Sequence, residues 1–141
     1  MKIIIAKDAG YCFGVRDAVN LAYDVSSKEG NVFMLGDIVH NEKVVENLNA
    51  EGARVVDKID DLPEGSSVLF RAHGTKQNVW KDASKKNINI VDATCPLVYE
   101  IHNEVKNIAK DGRQIFVIGD HGHDEVVAIA DQVKDTIVIS N

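Results

Sequence analysis

The sequence has few cysteines and no surplus of basic residues, and each shortage excludes a class of protein. It has only two cysteines in 141 residues. In a reducing compartment, such cysteines are more typically free, catalytic or metal-bound than joined in a structural disulfide. The formal net charge is −6, whereas general nucleic-acid binders carry a basic surplus. We therefore expect no nucleic-acid partner.

Long hydrophobic runs are also missing. The apolar run at residues 1–6 is too short for a secretory signal, and no later stretch is long enough to span a bilayer. We therefore expect a cytoplasmic protein with no membrane partner. The rest of the composition, 45% hydrophobic and 27% charged, is that of an ordinary globular domain.

Short apolar runs alternate with helical patterns along the chain. The runs predict strands at 2–6, 32–35, 53–56, 68–71, 88–92, 115–118 and 136–139, and the periodic segments predict helices at 15–27, 42–50, 76–86, 96–110 and 125–133. This alternation predicts an α/β fold with a parallel sheet covered by helices. We place a first α/β unit at residues 1–95 and an incomplete second unit at 96–141. The second unit has only two strands, too few to bury a good core, so we expect the chain to be cut off.

The two cysteines lie in similar contexts, each after a predicted strand and before a predicted helix. In an open parallel sheet the carboxyl ends of the strands face one crevice, so Cys12 and Cys95 are expected to meet there. A thiolate near a helix start is stabilised and can hold zinc or an iron–sulfur cluster. No Cys-x-x-Cys spacing chooses between these. Burial as small apolar side chains is the alternative.

Three histidines, His40, His73 and His123, follow predicted strands in the same way. They can ligate a metal or donate hydrogen bonds to an anion such as diphosphate, which the following helix N-termini would also favour. Helix capping or core packing is the alternative for each. Glu125 is either a first-turn contribution to the helix dipole or a proton donor whose pKa is raised by desolvation.

The remaining polar candidates have simpler interpretations. We expect Arg71 to form a salt bridge. We expect His102, in the middle of a helix, and His121, in the last loop, to be structural.

Five segments, taken together and in order, resemble one enzyme family. They are Ala-Gly-Tyr-Cys-Phe-Gly-Val, Gly-Asp-Ile-Val-His-Asn, Arg-Ala-His-Gly, Asp-Ala-Thr-Cys-Pro and Gly-His-Asp-Glu-Val. The resemblance is to the 4-hydroxy-3-methylbut-2-enyl diphosphate reductases, which catalyse the last step of the non-mevalonate isoprenoid pathway. It runs from residue 1 to about residue 132 and implies three similar α/β units around a central 4Fe–4S cluster. This chain would supply the first unit and part of the second.

The resemblance also implies roles for individual residues. Cys12 and Cys95 match two of the three cysteines that hold the 4Fe–4S cluster. The histidines at 40, 73 and 123 match residues that contact the substrate, mainly its diphosphate, and Glu125 matches the acid that relays a proton to the substrate hydroxyl. Two electrons, from a donor such as ferredoxin or flavodoxin, and protons remove that hydroxyl as water to give isopentenyl or dimethylallyl diphosphate.

The sequence departs from the family pattern at several points. It has no third cysteine, Asp124 stands where the family commonly has proline, and Ala128 and Asp131 stand where glycines are usual. We therefore expect the 141-residue chain to be inactive by itself. Three other hypotheses stay open: a stand-alone Cys/His module that binds zinc, a non-catalytic partner subunit, and a redox disulfide, which needs Cα atoms within about 7 Å.

Overall fold

The fold is an alternation of helices and strands, taken from a computed structural model that describes residues 1–7, 9–29 and 32–140. The elements in chain order are α1 (Phe13–Glu29), β1 (Val32–Leu35), α2 (Glu42–Ala50), β2 (Arg54–Val56), a short 3₁₀ turn (Ile59–Asp61), β3 (Ser67–Phe70), α3 (Gln77–Lys85), β4 (Asn89–Asp92), α4 (Pro96–Lys110), β5 (Phe116–Ile118), α5 (Asp124–Ala130) and β6 (Ile137–Ile139). All predicted elements except the first strand are present, with ends shifted by a few residues at most.

Four strands form one parallel sheet in the order β2-β1-β3-β4. In its register Phe33 of β1 lies opposite Arg54 of β2 and Val68 of β3. Strands β5 and β6 pair in parallel as a second sheet. The predicted parallel α/β architecture is therefore confirmed. The predicted boundary at residue 95 lies between the two sheets and stays a prediction.

The large sheet is buried on both faces. Met34 packs on one face with Leu48 and with the small residues of α1, while Phe33 and Phe70 pack on the other with α3 and the 3₁₀ turn. All four residues of β1 are buried. Burial on both faces explains why this strand reads as an unbroken apolar run, as is typical of parallel sheets.

The strand predicted at residues 2–6 is wrong. Residues 1–6 form no strand, and the side chains of Ile3, Ile4 and Ile5 are 75%, 79% and 83% exposed. Isoleucine favours strands only where a pleated surface gives it neighbours to pack against. None of the six described strands pairs with this segment. Its isoleucines therefore have no sheet to pack on, and it stays non-regular despite its high β-propensity.

The small sheet has little cover. Its strands expose Phe116 at 57%, Ile118 at 83%, and Ile137 and Ile139 at 46% each. A two-stranded sheet buries too little surface for a core of its own, as the sequence predicted for the second unit. Within the described part of the chain, no helix has the length and apolar composition needed to cross a bilayer.

His102 packs α4 against the loop that follows β3. The residue is 4% exposed, and a Cβ atom on Gly74 would come within 2.9 Å of its ring carbon Cε1. Gly74 also has a φ of +87°, so both backbone conformation and close approach require glycine there. Burial, and to a lesser degree the charge of Lys106, lowers the pKa of His102.

A core substitution and an exposed one should differ sharply in stability. Met34 is 0% exposed, so Met34→Ala should lower the free energy of unfolding by about 2–5 kcal/mol through lost contacts and a cavity. Ile4→Ala, in the unpaired first segment, should change it by less than about 0.5 kcal/mol. Denaturant titration measures both. A large loss for Ile4→Ala would show that residues 2–6 pack as a strand after all.

The buried His102 should make the fold sensitive to acid. Its pKa in the folded chain lies below the ordinary value of 6.5, so the unfolded chain takes up this proton more readily. The contribution of neutral His102 to the free energy of unfolding is therefore fully present above about pH 6.5. It is lost as the pH falls through the lower pKa of the folded chain. NMR titration of the His102 ring should give a midpoint below 6.5. In His102→Gln the stability should fall less steeply between about pH 7 and 5; an equal slope would contradict the assignment.

Candidate active site

The predicted site residues gather where helices begin, at the carboxyl edge of the large sheet. Cys95 is the N-cap residue of α4 and His123 that of α5. His40 precedes Asn41, whose side chain caps α2 by accepting a hydrogen bond from the Val44 amide at 3.2 Å. Several helix N-termini, with their free N–H groups and positive dipole ends, therefore lie at this edge.

Cys12 reaches this edge by a route that the sequence analysis did not predict. It was expected to follow a strand, but residues 1–6 form none, and Cys12 instead directly precedes α1. Gly14 in the first turn of α1 packs against Cys95 so closely that a Cβ atom there would overlap the Cys95 sulfur. Both cysteines are free, with Cys12 exposed and Cys95 partly buried. The helix start thus brings Cys12 to the corner that Cys95 occupies.

The loop that carries Cys95 is organised by Asp92, a residue that the sequence analysis did not single out. One oxygen of its carboxylate accepts hydrogen bonds from the amide and hydroxyl of Thr94 at 3.0 and 2.6 Å, and the other accepts one from the Tyr99 hydroxyl. The Cys95 amide donates to the Ala72 carbonyl at 3.0 Å. These bonds tie the cysteine to the loop that follows β3.

The three histidines form a cluster. The rings of His40 and His73 stack with centroids 4.4 Å apart, and the His123 ring lies 6.0 Å from His40 and 6.3 Å from His73. Asn41, next to His40, donates a hydrogen bond to the Tyr11 hydroxyl at 2.7 Å. Because Tyr11 is next to Cys12, this bond links the histidine cluster to the cysteine corner.

An ion pair joins the two sheets at this cluster. Arg71, directly after β3, donates from Nη1 to Oδ2 of Asp124 at 2.5 Å, and both side chains are partly buried. The predicted salt bridge of Arg71 is therefore confirmed, with Asp124 as its partner. The pair holds the first turn of α5 beside the β3 loop, which keeps His123 close to His73.

Burial sets the protonation of the central histidine. It lowers the pKa of His73, and the nearby charges of His40 and Arg71 lower it further, against smaller opposing effects from Asp124 and Glu125. Its Nδ1 atom is buried without a hydrogen-bond partner among the described residues. A neutral imidazole with one ring nitrogen available can donate to an anion or ligate a metal.

Glu125 lies in the first turn of α5, partly buried. Its charge opposes the lowering of the pKa at both His73 and His102. The carboxylate is thus electrostatically coupled to the histidine cluster and to α4. A cavity of about 480 Å³ beside the ion pair is lined by Arg71 and Asp124 but by none of the three histidines.

The contact between Gly14 and Cys95 can be tested directly. Gly14→Ala should lower the free energy of unfolding by about 1–2 kcal/mol, because overlap with the thiol outweighs the gain in helix propensity. Gly122→Ala, where the added Cβ meets nothing within 4 Å, should be within about 0.5 kcal/mol of wild type. Unfolding titrations measure both. An unchanged Gly14→Ala variant would mean that Cys95 does not pack on α1.

Known proteins are similar to this chain in sequence and fold over nearly its whole length. A 4-hydroxy-3-methylbut-2-enyl diphosphate reductase of Clostridioides difficile (strain 630) is 38% identical over 99% of this chain and 50% of its own length. One from Mycobacterium sp. (strain KMS) is 40% identical over 98% of this chain and 42% of its own. The solved E-1-hydroxy-2-methyl-but-2-enyl-4-diphosphate reductase of Plasmodium falciparum superposes with a TM-score of 0.88 at 31% identity, covering 94% of this chain and 42% of that one.

These matches agree on the family. The chain spans about half the length of these relatives or less. The family model described as LytB protein matches residues 3–141. The chain therefore belongs to the LytB protein family.

Proposed function

We propose that this chain carries the first half of the active site of a 4-hydroxy-3-methylbut-2-enyl diphosphate reductase, which removes the allylic hydroxyl of its substrate reductively. The observation that supports it most is the convergence, on one sheet edge, of a two-cysteine corner and a three-histidine cluster. The relatives with this sequence pattern are named as that reductase. The Cys–Gly contact, the Asn41–Tyr11 bond and the Arg71–Asp124 pair hold these groups in one arrangement.

Cys12 and Cys95 fit the role of two protein ligands of a 4Fe–4S cluster. Both are free thiols at helix starts, where a thiolate is stabilised. The absence of a side chain on Gly14 leaves room at the Cys95 sulfur. When bound, the cluster supplies electrons and a Lewis-acidic iron for the leaving oxygen. The third cysteine ligand that the resemblance calls for is not in this sequence.

The histidines are proposed to bind the substrate diphosphate. Neutral imidazoles donate N–H groups to phosphate oxygens, and hydrogen bonds to an anion are stronger than those between neutral groups. The Nδ1 atom of His73 is buried and has no hydrogen-bond partner among the described residues. The helix starts at His123 and beside His40 add their dipoles. Arg71 is paired with Asp124. The histidines and the helix N-termini are therefore proposed to bind the anion without the charge of this arginine.

Glu125 is proposed to deliver the proton that leaves with the hydroxyl as water. Its place two residues after His123 sets its carboxyl at the edge of the diphosphate site. A carboxyl group within reach of the leaving oxygen can act as a general acid. Its negative charge acts on both His73 and His102, where it opposes the lowering of their pKa values. Electrons would come from a donor such as ferredoxin or flavodoxin, and the reaction would be the cytoplasmic last step of the non-mevalonate pathway.

The proposal is tested in a chain extended to the full length of the relatives and reconstituted anaerobically. His40→Ala, His73→Ala and His123→Ala should each weaken substrate affinity by about 1–3 kcal/mol, because each loses a charge-assisted hydrogen bond. His121→Ala, in the same loop as His123, should bind normally. Glu125→Gln should lower kcat by about 10²–10⁴-fold with little change in affinity. Unchanged affinity in all three histidine variants, or full turnover in Glu125→Gln, would refute the assignment.

A further inference from the structure

Three side chains in the histidine cluster point to a second kind of ligand. One ring nitrogen each of His40 and His73 and one carboxylate oxygen of Asp124 all lie within 4.8 Å of one another. Two imidazoles and a carboxylate are a donor set that zinc and its first-row neighbours favour. We propose that His40, His73 and Asp124 bind a divalent transition-metal ion such as Zn²⁺ or Co²⁺.

The distances are close to those that a metal needs. Bonds of about 2 Å to nitrogen and oxygen in a tetrahedron place ligand atoms about 3.3 Å apart. The distances between these ligand atoms therefore have to shorten by up to about 1.5 Å. His40 is exposed, and exposed side chains change rotamer within nanoseconds. Its ring can turn from the stacked position on His73 to direct a nitrogen at a shared ion.

The less mobile ligands are already held in place. The Ala72 amide, next to His73, donates to the Ile38 carbonyl at 3.3 Å, which fixes the two loops relative to each other. Asp124 accepts a hydrogen bond from Arg71 at Oδ2, and its second oxygen, Oδ1, is a further candidate ligand atom. A charged partner behind a ligating carboxylate is the usual way in which proteins orient such ligands.

The groups around His40, His73 and Asp124 are compatible with a bound divalent cation. The His123 ring lies 6.0 Å from His40 and 6.3 Å from His73, and it directly precedes Asp124. Arg71 and Asp124 neutralise each other, and Glu125 adds a negative charge nearby. The charges around the cluster therefore do not repel a cation. This site is separate from the cysteines and does not depend on the proposed reductase activity.

Cobalt binding to the 141-residue chain tests the proposal. The double variant Cys12→Ser, Cys95→Ser removes the competing thiols, and visible absorption of Co²⁺ with calorimetry of Zn²⁺ then reports stoichiometry and affinity. We expect one ion per chain. Adding His40→Ala or Asp124→Asn should weaken binding by about 10-fold or more. The matched controls His121→Ala and Asp120→Asn, in exposed positions of the same loop as His123, should leave it unchanged.

The other outcomes overturn the proposal. Loss of binding in the cysteine double variant would assign the metal to the thiols, and equal binding in all histidine and aspartate variants would assign it elsewhere. No binding at all would also refute it, provided that circular dichroism shows the variant folded. A titration with inorganic diphosphate in the absence of metal tests the anion site separately, so the two proposals can fail independently.

Discussion

Parallel pairing of β1, β3 and β4 is the constraint on which the rest of the structure depends. It brings three loops to one edge, although their site residues His40, His73 and Cys95 are far apart in the chain. Helices cover both faces of the sheet, so its carboxyl edge is the surface where polar groups from several loops can meet a ligand. The backbone bonds Ala72 to Ile38 and Cys95 to Ala72 then set the spacing of these loops.

The side chains at the carboxyl edge of the sheet differ in their exposure to solvent. His40, His123 and Cys12 are exposed, whereas His73 and Cys95 are partly buried beneath them. The buried members are fixed by packing, and the exposed members can adapt to what binds. Burial also keeps His73 neutral at a pH where a free histidine begins to protonate. The partly buried side chains of His73 and Cys95 therefore have less freedom to move than the exposed side chains around them.

The sheet and the site edge were predictable from sequence because both leave local patterns. Continuous apolar runs at β1 and β3 signal strands buried on both faces, and a polar residue just after such a run lies at the carboxyl edge. The run at residues 2–6 has the same composition but no pairing partner, and composition does not reveal a missing partner. The prediction that Cys12 follows a strand was therefore wrong, because residues 1–6 form none.

Long-range polar contacts could not be predicted in this way. Arg71 and Asp124 are 53 residues apart. Nothing in the sequence around either residue indicates that the other is its partner. The organising role of Asp92 depends on the turn that Thr94 and Tyr99 make around it, which only the folded backbone shows. The packing of Gly14 on Cys95 is of the same kind. Such contacts set distances within the site, whereas periodicity predicts only which residues share it.

The attachment of α5 has a consequence for motion. This helix has seven residues and one that is buried, Ala128, and it reaches the large sheet chiefly through the Arg71–Asp124 pair and the bonds from Gln77 to Asp131 and Gln132. Segments with few buried contacts open at a lower free-energy cost than the global fold. Local opening here would carry His123 and Glu125 away while the other histidines stay in place. Opening of α5 would thus separate one part of the candidate site from the rest, and amide hydrogen exchange in α5 would report that opening.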